Sequence, residues 1–239
     1  MRVGLVQLCA SDDPVQNSHE AARHVEAAAD RDADFILTPE VTNCLSASRP
    51  PHEDDRLVNR SLVVSPKGNV VARYDKLHMF DVTLSATETY RESSGYRPGS
   101  SATLAEVEGA KIGMTICYDL RFPYLYRDLA QAGAQILTVP SAFAPETGAA
   151  HWDVLLRARA IETGAFVLAP AQCGTHHATH GRARKTYGHS LVVDPWGRVL
   201  GDGGTGIGVT LVDIDLEAVD DARRRIPSLT HDRSYRIQP

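Results

Sequence analysis

The chain contains no C-x-x-C pair. Its four cysteines, Cys9, Cys44, Cys117 and Cys173, lie 35, 73 and 56 residues apart. That spacing excludes a zinc knuckle and a thioredoxin-type motif. Four cysteines in 239 residues are also too few for a disulfide scaffold. Free thiols in a reducing compartment are the expectation. A cationic excess is missing too. Lys and Arg number 25 against 30 Asp and Glu, a net charge of −5. Neither nucleic acid nor an anionic membrane therefore has a global electrostatic reason to bind. No apolar run approaches the ~18 residues of a membrane-spanning helix. Met1 to Val6 lacks the charged, apolar and cleavage regions of a signal peptide. A cytoplasmic location is expected. No Pro/Gly/Ser-rich linker divides the chain, so residues 1–239 read as one domain.

What is present is a duplication. Val3 to Cys9 is an apolar, β-rich run. Ala21, Ala22, Val25, Ala28 and Ala29 then fall at spacings that build one apolar helix face. Phe35 to Glu40 follows as a second short strand, giving a parallel βαβ unit. The order recurs with Lys111 to Cys117, a helix around Tyr124 to Gln131, and Gln135 to Pro140. Ser61 to Val71 also matches Ser190 to Leu200, with seven of eleven positions identical. Each of these is a strand, a Pro/Gly turn and a strand, hence a β-hairpin. Two similar α/β halves can bury their inner sheet faces against each other. The fold class expected is α/β, a four-layer α-β-β-α sandwich of two pseudo-symmetric halves. A last strand is expected at Gly208 to Ile214, followed by a basic, polar tail from Arg223 to Pro239.

The two halves differ in length. The 50 residues from Pro140 to Ser190 hold a helix, His151 to Thr163, and a strand, Ala165 to Ala171. The matching interval from Glu40 to Ser61 has only 21 residues. The first half is short by about one helix and one strand. Either a stretch of chain is missing, leaving a break between Cys44 and Arg56, or the deletion is real and the first sheet loses a strand. The first is favoured, because losing a core strand costs more than the ~5–15 kcal/mol that holds a domain folded.

Four residues carry the candidate chemistry. Cys117 ends an apolar strand and precedes Tyr118-Asp119-Leu120-Arg121-Phe122-Pro123. A strand's carboxyl end before a helix is where α/β folds place reactive groups. Glu40 closes Leu37-Thr38-Pro39-Glu40, Lys76 lies in Tyr74-Asp75-Lys76-Leu77-His78, and Glu92 lies in a polar loop. Taken singly, these are a buried thiol, a loop carboxylate, a surface lysine and a loop glutamate. Taken together, in this order, they resemble the carbon–nitrogen hydrolase family, also called the nitrilase superfamily. The resemblance covers nearly the whole chain. Finer stretches, among them Pro140 to Phe143, His151-Trp152 through Thr163, Ala171 to Gly174 and Tyr187 to Ser190, resemble the family's deaminated-glutathione amidase branch, with several shared by the ω-amidase branch. Tyr124 departs from the acidic residue many relatives carry there.

The resemblance implies a thiol amidohydrolase. Cys117 would be the nucleophile and Glu40 the proton carrier. Lys76 and the Tyr118 N–H would hold the oxyanion, and Glu92 would position Lys76 or the substrate amide. Tyr118, Ser141, Phe143 and His151 would border the substrate, a small carboxylate-bearing amide. No metal or organic cofactor is required, and a homodimer or larger assembly of dimers is implied. His176, His177, His180 and His189 sit beside Arg182, Arg184 and Lys185 without a carboxylate, so Gly174 to Lys185 reads as a loop near the pocket mouth rather than a metal site. Gly201 to Gly206 lacks the Lys-Ser/Thr of a phosphate loop. Two rivals stand beside the amidase: a non-catalytic scaffold that has kept these residues, and a Cys-His-Asp hydrolase using His151 or His189.

Overall fold

Alternate residues of β1 (Arg2–Gln7) face different neighbours. Val3 and Leu5 join the main apolar cluster, while Val6, with Leu8 beyond it, packs with Ala21 of helix α1 (Pro14–Ala29). Asp13 caps α1 by accepting the Val15 and Gln16 N–H groups, and Pro14 opens the first turn. The computed structural model describes residues 1–42, 56–86, 88–177 and 183–238. β2 (Phe35–Leu37) runs parallel to β1, completing the βαβ unit. Two antiparallel hairpins follow, β3 (Arg60–Val64) with β4 (Val70–Asp75), and β5 (Asp81–Ser85) with β6 (Glu88–Arg91). The second half runs β7 (Thr103–Val107), β8 (Ala110–Met114), α2 (Pro123–Gln131), β9 (Ile136–Thr138), α3 (Pro145–Thr163) and β10 (Phe166–Ala169). It continues with β11 (Cys173–His176), β12 (Arg184–Tyr187), β13 (Leu191–Val193) and β14 (Val199–Asp202), and the chain closes with β15 (Gly208–Asp213) and α4 (Glu217–Arg225).

Two principal sheets result. One has the order β15-β1-β2, the other β14-β13-β10-β9-β8-β7. A single core cluster contains Val3 and Leu5 of the first and Ile112, Ile136, Phe166 and Val192 of the second. α1 covers the outer face of the first sheet, and α2 and α3 cover that of the second. This is the four-layer α-β-β-α arrangement.

The internal repeat has a packing cause. A Cβ on Gly4 would lie 3.3 Å from the Ala28 Cβ and 3.4 Å from the Ala33 Cβ. A Cβ on Gly113 would lie 3.1 Å from the Leu129 Cβ and 3.2 Å from the Ala134 Cβ. In each half, a helix and the turn after it lie against one strand at the position where the side chain is missing.

The strand pairing of the two halves can be set side by side. β15-β1-β2 corresponds to β7-β8-β9, and the β3–β4 hairpin to β13–β14. In the second half β10 joins these units, pairing with β9 on one side and β13 on the other. Among the described residues, no strand joins β2 to β3. Leu62 and Val64, on one face of β3, are 45% and 54% exposed. The Cα spacings that would separate a break from a deletion lie at positions 43–55, outside the described residues, as does Cys44.

Several boundaries differ from those expected. α3 starts at Pro145 rather than His151, because Pro at the first helical position is preset for the turn. β2 ends at Leu37, so Glu40 sits in the turn beyond it. The stretch read as a loop at Gly174 to Lys185 has ends that pair as β11 and β12. The tail is anchored by α4 and by α2, whose Arg127 Nη2 donates to the Ser228 carbonyl at 2.9 Å and whose Gln131 Nε2 donates to that of Leu229 at 2.8 Å.

Candidate active site

Three turns converge. The first carries Glu40. Its neighbour Val41 has φ 53°, a left-handed conformation costly for a β-branched residue. The Glu40 carbonyl accepts the Gln172 side chain at 3.0 Å. Its carboxylate accepts the Ala142 N–H at 3.0 Å, the Asn59 amide at 2.8 Å and the Lys76 ammonium at 2.9 Å. The second turn follows β4. It carries Lys76 and His78 just past Tyr74, near the end of that strand. The Tyr74 hydroxyl, at 2.6 Å, and the His78 N–H and Nδ1, at 3.1 and 2.7 Å, all engage the buried Asp119. Lys76, between them, reaches both Glu92 oxygens at 2.9 Å. Glu92 is held in turn by the Phe80 N–H at 2.6 Å.

The third turn carries Cys117, with φ 47°. Its N–H donates to the Pro140 carbonyl at 3.0 Å, and its thiol feels the Glu40 charge. The Tyr118 N–H donates to no group among the described residues. Asp119 accepts the Ile116 N–H at 2.9 Å and so ties this turn to the end of β4. The motif residues that follow pack the surroundings. Phe122 stacks on His78 at 3.5 Å, and the Arg121 guanidinium lies 5.6 Å from the Phe143 ring. Tyr124 places its hydroxyl 2.6 Å from His78 Nε2, so the departure from the acidic residue extends the His78–Asp119 chain.

Charge is distributed unevenly. Burial pushes the Glu40 carboxyl up, but the Lys76 charge and hydrogen bonds from Cys117 and Lys76 outweigh it, and the group lies below the ordinary carboxylate range. Burial works to discharge Lys76, yet Glu40, Cys117 and Glu92 hold it protonated, above its ordinary range. Burial first, and Glu40 second, push the Cys117 thiol well above its ordinary value. The resting arrangement is a neutral thiol beside an ionised carboxylate and a fixed ammonium.

The three side chains open on a pocket of about 270 Å³, walled by Phe80, Tyr90, Tyr96, Tyr118 and Phe143. Of the residues expected at the site, Glu40, Lys76, Glu92, Cys117, Tyr118 and Phe143 line it. Ser141 and His151 do not. Ser141 is buried beneath it, with its Oγ donating to the Val139 carbonyl at 2.9 Å and its own carbonyl accepting the Gln172 N–H. His151 is an exposed residue of α3, 3.3 Å from the Arg121 guanidinium. His189 lies 3.0 Å from Asp202, also away from the pocket. A Cys-His-Asp arrangement on either histidine is therefore not assembled. His176 has both ring nitrogens engaged, at 2.7 Å from the Ala10 carbonyl and 2.7 Å from the Thr186 hydroxyl. His180 lies outside the described residues. The sequence offered no signal for Asn59 or Arg91, which also line the pocket, and left Arg184 undistinguished among nearby cations.

Comparison with known proteins follows the same outline. A family profile described as carbon–nitrogen hydrolase matches residues 44–224. The deaminated glutathione amidase of Homo sapiens is 47% identical over 182 residues, 76% of this chain and 54% of that protein. That of Yersinia enterocolitica is 44% identical over 180 residues, 75% of this chain and 62% of that protein. The chain thus spans little more than half the length of these curated relatives. The crystal structure of the C. elegans NitFhit protein superposes with a TM-score of 0.88 at 30% identity, covering 97% of this chain and 65% of that one. Saccharomyces cerevisiae Nit3, described as a member of branch 10 of the nitrilase superfamily, superposes with a TM-score of 0.83 at 26% identity, covering 98% and 97%.

Proposed function

The chain belongs to the carbon–nitrogen hydrolase family, and on that premise we propose that it is a thiol amidohydrolase whose nucleophile is Cys117, proton carrier Glu40 and oxyanion donor Lys76. The observation that carries the reading is the convergence of these three buried side chains on one pocket, with the Lys76 ammonium 2.9 Å from the Glu40 carboxylate. Amide hydrolysis needs a nucleophile, a proton carrier and a place for negative charge. Cys117 Sγ attacks the amide carbon as its proton passes to ionised Glu40. Lys76 and the Tyr118 N–H receive the oxyanion. The carbon–nitrogen bond breaks as Glu40 returns the proton to nitrogen, and ammonia leaves a thioester. Glu40 then takes a proton from water as the oxygen attacks the thioester. Collapse of the second tetrahedral species releases the acid, and the proton returns to sulfur. Glu92 acts by holding Lys76.

The substrate proposed first is deaminated glutathione, on the strength of the relatives' names. An ω-amide such as 2-oxoglutaramate is second. The proposal includes one domain, because one apolar cluster draws on both halves, a homodimer or assembly of dimers, and a cytoplasmic location. Among the described residues, no helix is long and apolar enough to cross a membrane. Ammonia release across a panel of amides, ureas and nitriles tests the reading. Turnover of small amides alone is expected, and turnover of nitriles or ureas instead would overturn it. One observation favours a second reading: among the described residues, no strand joins β2 to β3 beside the Glu40 turn. A scaffold protein would fold and bind amides yet release no ammonia.

A further inference from the structure

We propose that Arg184 is the anion anchor of this pocket and that it selects amides carrying a carboxylate at the far end from the scissile bond. The inference deepens the amidase reading and rests on it. Arg184 lines the same pocket as Cys117, Glu40 and Lys76. Its guanidinium Nη2 donates to the Ala142 carbonyl at 2.7 Å. The N–H of that same residue donates to Glu40 at 3.0 Å. One peptide unit on each side of Ala142 thus fixes the cation relative to the reacting centre. Its charge reaches that centre, acting with Lys76 to favour the ionised form of Glu40.

Among the described residues, the remaining donors of Arg184 have no recorded partner. Several arginines of the fold are matched to carboxylates, as Arg2 is to Asp213, Arg60 to Asp75 and Arg159 to Glu162. Arg184 has no carboxylate partner among the described residues. The pocket cannot supply one: Glu40 and Glu92 are both taken by Lys76, and the walls are largely aromatic. Arg91 also lines the pocket, but its Nη1 donates to the Tyr90 carbonyl at 2.8 Å and its charge is shared with Asp81. A guanidinium offers several donors in a planar fork that suits a carboxylate. The ligand class is therefore the mono-amide of a short dicarboxylic acid, bound with its amide at Cys117 and its carboxylate at Arg184.

The test uses two amides of matched length, glutaramate and pentanamide, which differ in a carboxylate against a methyl group. Wild-type protein is expected to favour glutaramate in kcat/KM. Arg184→Gln is expected to lower the glutaramate-to-pentanamide ratio by about 10–100-fold, mainly through KM. Arg184→Lys should recover part of it. Lys185→Gln, one residue along β12 and pointing to its other face, should leave the ratio where it is. Raising the salt concentration should raise KM for glutaramate and not for pentanamide. The ratio absorbs any general loss from disturbing Ala142. If Arg184→Gln and Arg184→Lys both keep the wild-type ratio, Arg184 is not the anchor although the amidase reading stands. If wild-type protein hydrolyses neither these amides nor any amide of the panel, the amidase reading falls and takes the anchor with it.

Discussion

Replacing Lys76 by Met removes a charge while keeping an unbranched chain of similar length. Lys76 is 2% exposed, and its ammonium sits 2.9 Å from one Glu40 oxygen and 2.9 Å from each Glu92 oxygen. Without it, two carboxylates face each other with no cation between them. Breaking a buried pair in this way costs ~3–5 kcal/mol, and at ~2–4 °C per kcal/mol for a chain of this size Tm should fall by roughly 6–20 °C. The rate should fall by ~10²–10³ for loss of an oxyanion donor, in kcat more than KM. A third effect is specific to the proposed arrangement. Burial is the largest influence on Glu40 and pushes its carboxyl up, and Lys76 is the largest influence against it. In the wild type Glu40 is depressed. Its contribution to stability is then complete above the unfolded value of ~4.3 and is lost as pH falls through the folded value. In Lys76→Met the carboxyl rises and the sign reverses, so stability should be lost as pH rises through the new value. Melting curves at pH 5 and 7 should therefore show the variant more stable at pH 5. The acid limb of its residual activity, set below the ordinary carboxylate range in the wild type, should move up. Lys76→Met/Glu92→Gln should regain part of the lost stability. A variant with an unmoved acid limb and no gain at pH 5 would show that Lys76 does not hold Glu40 ionised.

Burial and Glu40 raise the Cys117 thiol above 9.0, so at pH 8 less than about one-tenth is thiolate. Iodoacetamide labelling of Cys117, followed by peptide mapping, should be slow there and rise ~10-fold per pH unit. A plateau below pH 8 would reveal a thiolate at neutral pH. Asp119→Ala strands the Tyr74 hydroxyl, the Ile116 and His78 N–H groups and the His78 ring. With several buried donors orphaned at ~1–3 kcal/mol each, urea unfolding should show a loss of roughly 3–5 kcal/mol, and an unchanged midpoint would sink the clamp. Inserting a relative's helix and strand between Cys44 and Arg56 should cover Leu62 and Val64 and raise Tm by several degrees. A lower Tm would mean that the short first half is already complete.

Much of the site was legible because its residues lie at fixed offsets from a strand end. Lys76 follows the end of β4 in a Tyr-x-Lys-x-His pattern that carries the family resemblance, and Cys117 to Pro123 form one turn leading into α2. Glu40 was legible as a carboxylate out of place after an apolar strand. Asn59 and Arg184 were not, because their contacts join segments 19 and 42 residues apart in the chain. Ser141 and His151 were misplaced for a related reason. Sequence neighbours of a pocket residue can point under it, as Ser141 does beneath Ala142, or leave the helix on its outer side, as His151 does. The βαβ units read clearly because buried strands are almost wholly apolar. The β5–β6 hairpin was missed because its alternation, Val82 and Leu84 against Thr83 and Ser85, is short, and both strands are only half-buried. α4 was hidden because only Val219 and Ala222 of it are buried.

The central claim is that Cys117, and no other thiol, carries the acyl group. Glutaramate mixed with the protein, quenched in acid within the first turnovers and digested, should give one acylated peptide by mass spectrometry, the one containing Cys117. Cys117→Ala should give none and release no ammonia while melting as a folded protein. An acyl adduct on Cys9, Cys44 or Cys173, or ammonia release at the wild-type rate from Cys117→Ala, would contradict the account.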